Sequence, residues 1–285
     1  MHKRMILLLA IVLGLAQSVL AGVIVQFEEV WKDDNPTTKI EADISSFSGA
    51  SVDNIELVDV KGGCFQMGDN FDDGDNNEKP VHKVCVDDFQ IGKYEVTQGQ
   101  WQEIMGNNPA KFQKGAYYPV EQVSWDDAQD FINKTNGKTG KIFRLPTEAE
   151  WEYACRSGGK KEKYCGGNEV YSLAWYESNS NSSTLPVGTK APNGLGIYDM
   201  SGNVWEWVQD WYLYEKEGFL KSEKSYYKES VKDNPQGPSS GSLRVKRGGS
   251  WLYGPWYMRS ANRSRSTPGY HDYGLGFRLV VSPGQ

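Results

Sequence analysis

From Cys165 onward the chain is punctuated by glycine, asparagine, serine and proline so often that long helices are excluded over most of its C-terminal part. A chain of this kind must be held by side chains that each bury a large area. With 10 Trp, 16 Tyr and 31 Gly among 285 residues, the composition favours a loop-rich fold pinned by aromatic anchors over a helical bundle. The 38% hydrophobic and 24% charged content is that of an ordinary globule and excludes disordered and collagen-like classes. A net charge of -6 argues against a nucleic-acid partner.

The N-terminus reads His2-Lys3-Arg4, then an apolar run from Met5 to Leu15, then Val19-Leu20-Ala21 before Gly22. This is the pattern of a secretory signal, expected to be cut after about Ala21. The rival reading, a retained membrane anchor, is disfavoured because the apolar run is shorter than the ~20 residues a spanning helix needs, and nothing later in the chain resembles a span. The expected location is periplasmic or secreted. In that setting Cys64, Cys85, Cys155 and Cys165 read as disulfides, and the pairs nearest in sequence are Cys64 with Cys85 and Cys155 with Cys165. The spacing holds no Cys-x-x-Cys pair, which disfavours a metal site.

After the signal at 1–21, residues 22–54 form an extension that opens on the strand-like run Val23 to Phe27, and one domain is expected over 55–285. Within it Ile55 to Val60 predicts a strand, with Val84 to Phe89 as its partner across the acidic loop Asp69 to Asp75. That loop lacks the glutamate spacing of an EF-hand and reads as solvated. Thr97 to Gln100 is a capping box opening a helix through Met105; Ser124 to Asp127 and Thr147 to Glu150 open two more. The Lys- and Glu-rich stretch from Lys216 to Asp233 predicts a solvated excursion.

Several strings stand in a telling order: Gly63-Cys64-Phe65-Gln66-Met67-Gly68, Tyr94-Glu95-Val96-Thr97, Pro119 to Trp125, Arg144 to Glu152, Gly202-Asn203-Val204-Trp205-Glu206-Trp207, Arg247-Gly248-Gly249-Ser250-Trp251 and Gly274-Leu275-Gly276-Phe277-Arg278. Singly each has a plain structural explanation; together they resemble the formylglycine-generating enzyme family, the sulfatase-modifying factors, over about residues 55 to 281. The resemblance implies a single α+β domain with a C-type-lectin-like core and little regular secondary structure. It also implies oxidation of a substrate cysteine by oxygen and copper, the metal held by two cysteines shortly after the Gly-Gly-Ser motif. Here Tyr253 stands where the first would be, and no cysteine follows Cys165. Copper(I) prefers soft sulfur ligands, whereas this neighbourhood offers only Met258 and His271, so copper is not expected. His82 and His271 read as structural or ordinary loop residues.

The same resemblance implies calcium at Ser201 to Glu206, with carbonyls of Ser201, Gly202 and Val204 and the Glu206 carboxylate as ligands. The competing reading pairs Glu206 with an arginine. A second family site near Leu173-Ala174-Trp175 is not carried over, because Leu173 is apolar. The remaining expectation is a ligand- or partner-binding surface of Ser250, Tyr253, Trp256, Tyr257, Arg259, Arg263, Arg265 and Tyr270, in which aromatics supply contact area and arginines directed hydrogen bonds. Trp251 is expected in the core. The function expected is therefore an exported non-oxidase member that binds a ligand, protein or peptide. The alternatives are a periplasmic enzyme of different chemistry such as siderophore maturation, a diversified display protein, or a true oxidase. No Ser/His/Asp triad is visible, so an enzyme would have to draw on Ser250, Glu206 or a tyrosine.

Overall fold

All three capping boxes close. Thr97, Ser124 and Thr147 each accept from the backbone three residues on, and Gln100, Asp127 and Glu150 reach back to the cap. They open α1 (Gln98–Met105), α2 (Trp125–Thr139) and α3 (Glu148–Cys155). Left-handed glycines, Gly106 and Gly140, end the first two. Trp101 of α1 stacks on Phe131 of α2 with ring centroids 5.4 Å apart. A single turn, α4 (Val170–Leu173), is the other α-helix among the described residues.

The computed structural model describes residues 24–32, 35–43, 51–213, 216–217, 222–223 and 226–282, with 24–43, 216–217 and 222–223 as backbone only. The expected signal at 1–21 lies outside the described residues. The chain forms two compact units, 1–48 and 49–285. In the first, β1 (Ile24–Lys32) and β2 (Asn35–Asp43) make an antiparallel hairpin, where a single strand or tether was expected. The second begins earlier than residue 55: Ser51 caps a turn at Val52–Asn54, and Val52 is buried in the core.

Strand pairing corrects one expectation. β3 (Leu57–Val60) pairs with β6 (Phe89–Gly92), whereas Val84 to Val86 belong to β5 (His82–Val86), paired with β4 (Gly63–Met67). The run predicted as one strand breaks at Asp87-Asp88. Asp88 there accepts from Lys61 Nζ at 2.5 Å and from the Gly62 amide at 2.9 Å. Cys64 faces Cys85 across the β4–β5 ladder and is bonded to it; Cys155, at the end of α3, is bonded to Cys165. The β3–β6 pair continues through β14 (Val280–Val281) to β7 (Phe143–Arg144).

The sheet that organises the C-terminal half has the order β12 (Arg263–Ser266), β11 (Leu243–Arg247), β8 (Trp205–Tyr212), β13 (Leu275–Phe277), with β13 parallel to β8. Between β8 and β11 the short strands β9 (Lys216–Glu217) and β10 (Ser222–Glu223) pair with each other. The excursion is not solvated throughout: Tyr227 is buried in the same apolar cluster as Phe65, Val84 and Tyr212.

Helix α3 and this sheet are locked by buried charge. Arg263 makes a two-point pair with Glu148, at 2.7 Å from Nε and 2.5 Å from Nη2. Arg247 pairs with Glu152 and also donates to the carbonyls of Ala261, Asn262 and Ser260. Arg156 binds Glu152 at 2.9 Å and the Gly68 carbonyl at 2.8 Å. Each member is at most 5% exposed, so removing one carboxylate leaves guanidinium charge in the interior without a counter-ion. Glu152→Gln is expected to lower unfolding free energy by about 3–5 kcal/mol in chemical denaturation. A loss under about 1 kcal/mol would show that the arginines do not depend on this pair.

Candidate functional site

Side chains alternate across a strand, so one residue step separates the charged interior of this sheet from its other face. Arg247 stands opposite Glu206 and Arg263, whereas Lys246 stands opposite Trp207 and Ser264. The Lys246 ammonium lies 5.4 Å from the ring centre of Trp205 and 5.5 Å from that of Tyr270. Trp205 in turn meets Tyr253 at 6.0 Å and Tyr257 at 6.3 Å, and those two rings are 5.0 Å apart. Trp256, Tyr257 and Tyr270 are 45%, 41% and 43% exposed. Together they form an open aromatic cradle with one ammonium in it.

Lys246 is partly buried and has no hydrogen bond or ion pair among the described residues. Burial pushes its pKa down to about 8; Asp272 opposes this and Arg265 adds to it. Asp272 has donors of its own, the Gly274 amide at 2.9 Å and the Tyr270 hydroxyl at 3.4 Å. Three further polar atoms are buried without a partner: Trp205 Nε1, Ser250 Oγ and Glu121 Oε2. Burial lifts the Glu121 carboxyl to about 7, against the amides of Phe112 and Lys111 and with Asp272 adding to the rise. Sequence reasoning missed Lys246, Trp205, Asp272 and Glu121 as site residues. The signal that would have found Lys246 was the two-residue period of Leu243–Arg247, which sets it on the face opposite the buried Arg247.

Of the expected surface, Tyr253 is half-buried in the cradle, Tyr257 and Tyr270 lie at its rim, and Trp256 is exposed with its ring against Arg259 at 4.1 Å. Arg259 and Arg263 do not belong to it. Arg259 is buried on Glu78, at 2.6 and 2.8 Å, and Arg263 is locked on Glu148, because arginines 2% and 5% exposed require carboxylate partners. Arg265 lies over the Tyr212 ring at 4.9 Å, and Ser250 is fully buried. Trp251 is in the core and donates to the Tyr273 carbonyl at 3.0 Å. Gly249, at φ 76°, fits only without a Cβ, which would collide with the Met258 thioether; Met258 is therefore buried packing. His271 is exposed, and His82 packs against Tyr227 with ring centroids 4.6 Å apart.

The donor set does not suit copper(I). All four cysteines of the chain are in disulfides, so no thiolate is on hand. At Ser201 to Glu206 the arginine reading of Glu206 is the observed one. Arg278 donates to both its oxygens at 2.6 and 2.7 Å, and Trp151 Nε1 donates to Oε2 at 2.6 Å. Ser201 Oγ accepts from the Cys165 amide and donates to the Met258 carbonyl. Gly202, at φ 88°, lies so close to Trp175 that a Cβ would strike its carbonyl oxygen. Leu173 packs in an apolar cluster with Tyr164, Tyr176 and Met258.

A mixed α+β fold with few helices, a Gly-Gly-Ser-Trp turn beneath an aromatic face and Glu206 locked to Arg278 define the formylglycine-generating-enzyme-like, C-type-lectin-like class. The chain matches the sulfatase-modifying factor enzyme 1-like domain over residues 45–283 and belongs to that family. It is 31% identical over 292 residues to the formylglycine-generating enzyme of Streptomyces coelicolor, covering 78% of this chain and 88% of the relative. Among solved structures it is similar to Treponema denticola variable protein 1, with TM-score 0.70, 30% identity and coverage of 90% of this chain and 99% of that one. It is also similar to PvdO from Pseudomonas aeruginosa, with TM-score 0.69, 28% identity and coverage of 82% and 96%.

One buried acid makes stability depend on pH. Asp210, 5% exposed, accepts from the Glu148 amide at 2.8 Å and is pushed up to about 8, by burial first and then by the Glu148 charge. A carboxyl whose folded pKa is raised contributes stability fully present below its ordinary value near 4, and that contribution is lost as pH rises through about 8. The melting temperature is therefore expected to fall between about pH 4 and 8, and to fall less in Asp210→Asn, which keeps an acceptor oxygen but cannot ionise. Parallel pH profiles of the two proteins would contradict this assignment.

Proposed function

We propose that this protein is an exported, non-oxidase member of the family that binds a ligand on the aromatic cradle of Trp205, Tyr253, Tyr257 and Tyr270. The observation that carries the reading is the partly buried Lys246, whose ammonium meets aromatic rings but no acceptor. An ammonium drawn out of water costs free energy unless a partner satisfies it, and a ligand is the partner such a surface lacks. Export is supported by the signal-like N-terminus and by two disulfides in a chain with no other cysteine.

Two assays test the reading. Incubated with a cysteine-containing sulfatase peptide, copper and oxygen, the protein is expected to leave the peptide mass unchanged while a two-cysteine family enzyme converts it; conversion would overturn the non-oxidase reading. N-acetyl-tryptophanamide is expected to bind the wild type and to bind Tyr257→Ser less well in calorimetry. Equal binding to both would remove the cradle from the ligand site.

A structural calcium near Gly202 and Val204 would have to do without the Glu206 carboxylate, whose oxygens are taken by Arg278 and Trp151. Glu95, Asp199 and Glu206 are buried together at 1%, 4% and 0% exposure, and Arg278 is the guanidinium among them. Carbonyls and a surplus of carboxylate are what a hard cation takes. Added calcium should then raise the melting temperature over chelator by mass action, and an unchanged midpoint would count against it. A second reading, display of a varied C-terminal surface, is favoured by the likeness to the Treponema denticola variable protein. It places variation at the exposed positions 256, 257 and 270, and sequencing of related strains that found those positions constant would remove it.

A further inference from the structure

We propose that the cradle around Lys246 receives a carboxylate borne on an aromatic or apolar body, either a small aromatic acid or the C-terminal residue of a peptide. The proposal rests on the ligand-binding reading above and names the chemistry of that ligand. It follows from which groups at this face lack partners. Asp272, the acidic group there, already accepts from the Gly274 amide and the Tyr270 hydroxyl. Among the groups that meet the rings, those left over are donors: the Lys246 ammonium, and the Trp205 indole N–H, buried with no acceptor; the unpartnered Ser250 Oγ and Glu121 Oε2 lie by Gly274 and Asp272, and Glu121 is not among the charges that act on Lys246. A ligand completing the face must therefore bring acceptors.

Charge narrows the class further. The Lys246 ammonium, the Arg265 guanidinium and the Asp272 carboxylate within electrostatic reach leave one positive charge, which a single negative charge balances, while a dianion would exceed it in a protein of net charge -6. The rings of Trp205, Tyr253, Tyr257 and Tyr270 around the ammonium supply flat contact area, which suits an apolar body behind the carboxylate.

The test compares ligands that differ only in the acid. N-acetyl-tryptophan and its amide, and the peptide Ac-Gly-Gly-Trp with a free and with an amidated C-terminus, are titrated calorimetrically against the full chain. Each acid is expected to bind the wild type roughly tenfold or more tightly than its amide, the difference a charge-assisted hydrogen bond makes. In Lys246→Gln the difference is expected to vanish, and in Lys246→Arg to return. Tighter binding of the peptide acid than of the free acid assigns the ligand to a peptide terminus, and the reverse to a small acid. Equal binding of acid and amide to the wild type overturns the carboxylate assignment and leaves the aromatic cradle standing. Absence of binding by all four overturns both. The wild-type comparison decides the question even where Lys246→Gln fails to fold.

Discussion

The buried pairing of arginine with glutamate is the interaction on which the rest of this molecule depends. A fold with few helices and short strands leaves many backbone carbonyls without ladder partners, and each one buried unpaired is costly. The guanidinium, with five donors in a rigid fork, can hold a carboxylate and several carbonyls together. Arg247 ties Glu152 to the carbonyls of Ala261, Asn262 and Ser260, and Arg278 ties Glu206 to those of Gly92 and Tyr198. Arg156 does the same for Gly68 and Glu162. The charges are expensive to bury, and they stay buried because each also closes a loop.

The lock also determines which way Lys246 faces. Because Arg247 and Arg263 point toward α3, the next residue along β11 must point the other way, and Lys246 finds rings there where Arg247 finds carboxylates. The two cations are adjacent in sequence and opposite in use. One face is closed by its own counter-ions, and the other has donors to spare.

Membership in the family is carried by the scaffold. The Gly-Gly-Ser-Trp turn is present and tightly built, with Met258 packed against Gly249 and Trp251 held by the Tyr273 carbonyl. Above it Tyr253 joins Tyr257 and Trp205 in an aromatic surface.

Much of this could be read along the chain. Capping boxes are local, each needing only four residues, so the starts of all three longer helices followed from sequence, as did the disulfide pairs nearest in sequence and the family motifs. Features that depend on distant partners were not legible. Asp87-Asp88 split one apparent strand between two sheets, Tyr227 returned from a polar stretch to the core, and Arg259 and Arg263 proved to be interior ties to Glu78 and Glu148. An arginine in a loop looks the same in sequence whether it faces solvent or a carboxylate more than a hundred residues away. Sequence determined the local caps and the family; tertiary packing alone decided which cations were spent on the core and that Lys246 was set among rings without a counter-ion, because counter-ion pairing is a property of space and not of order along the chain.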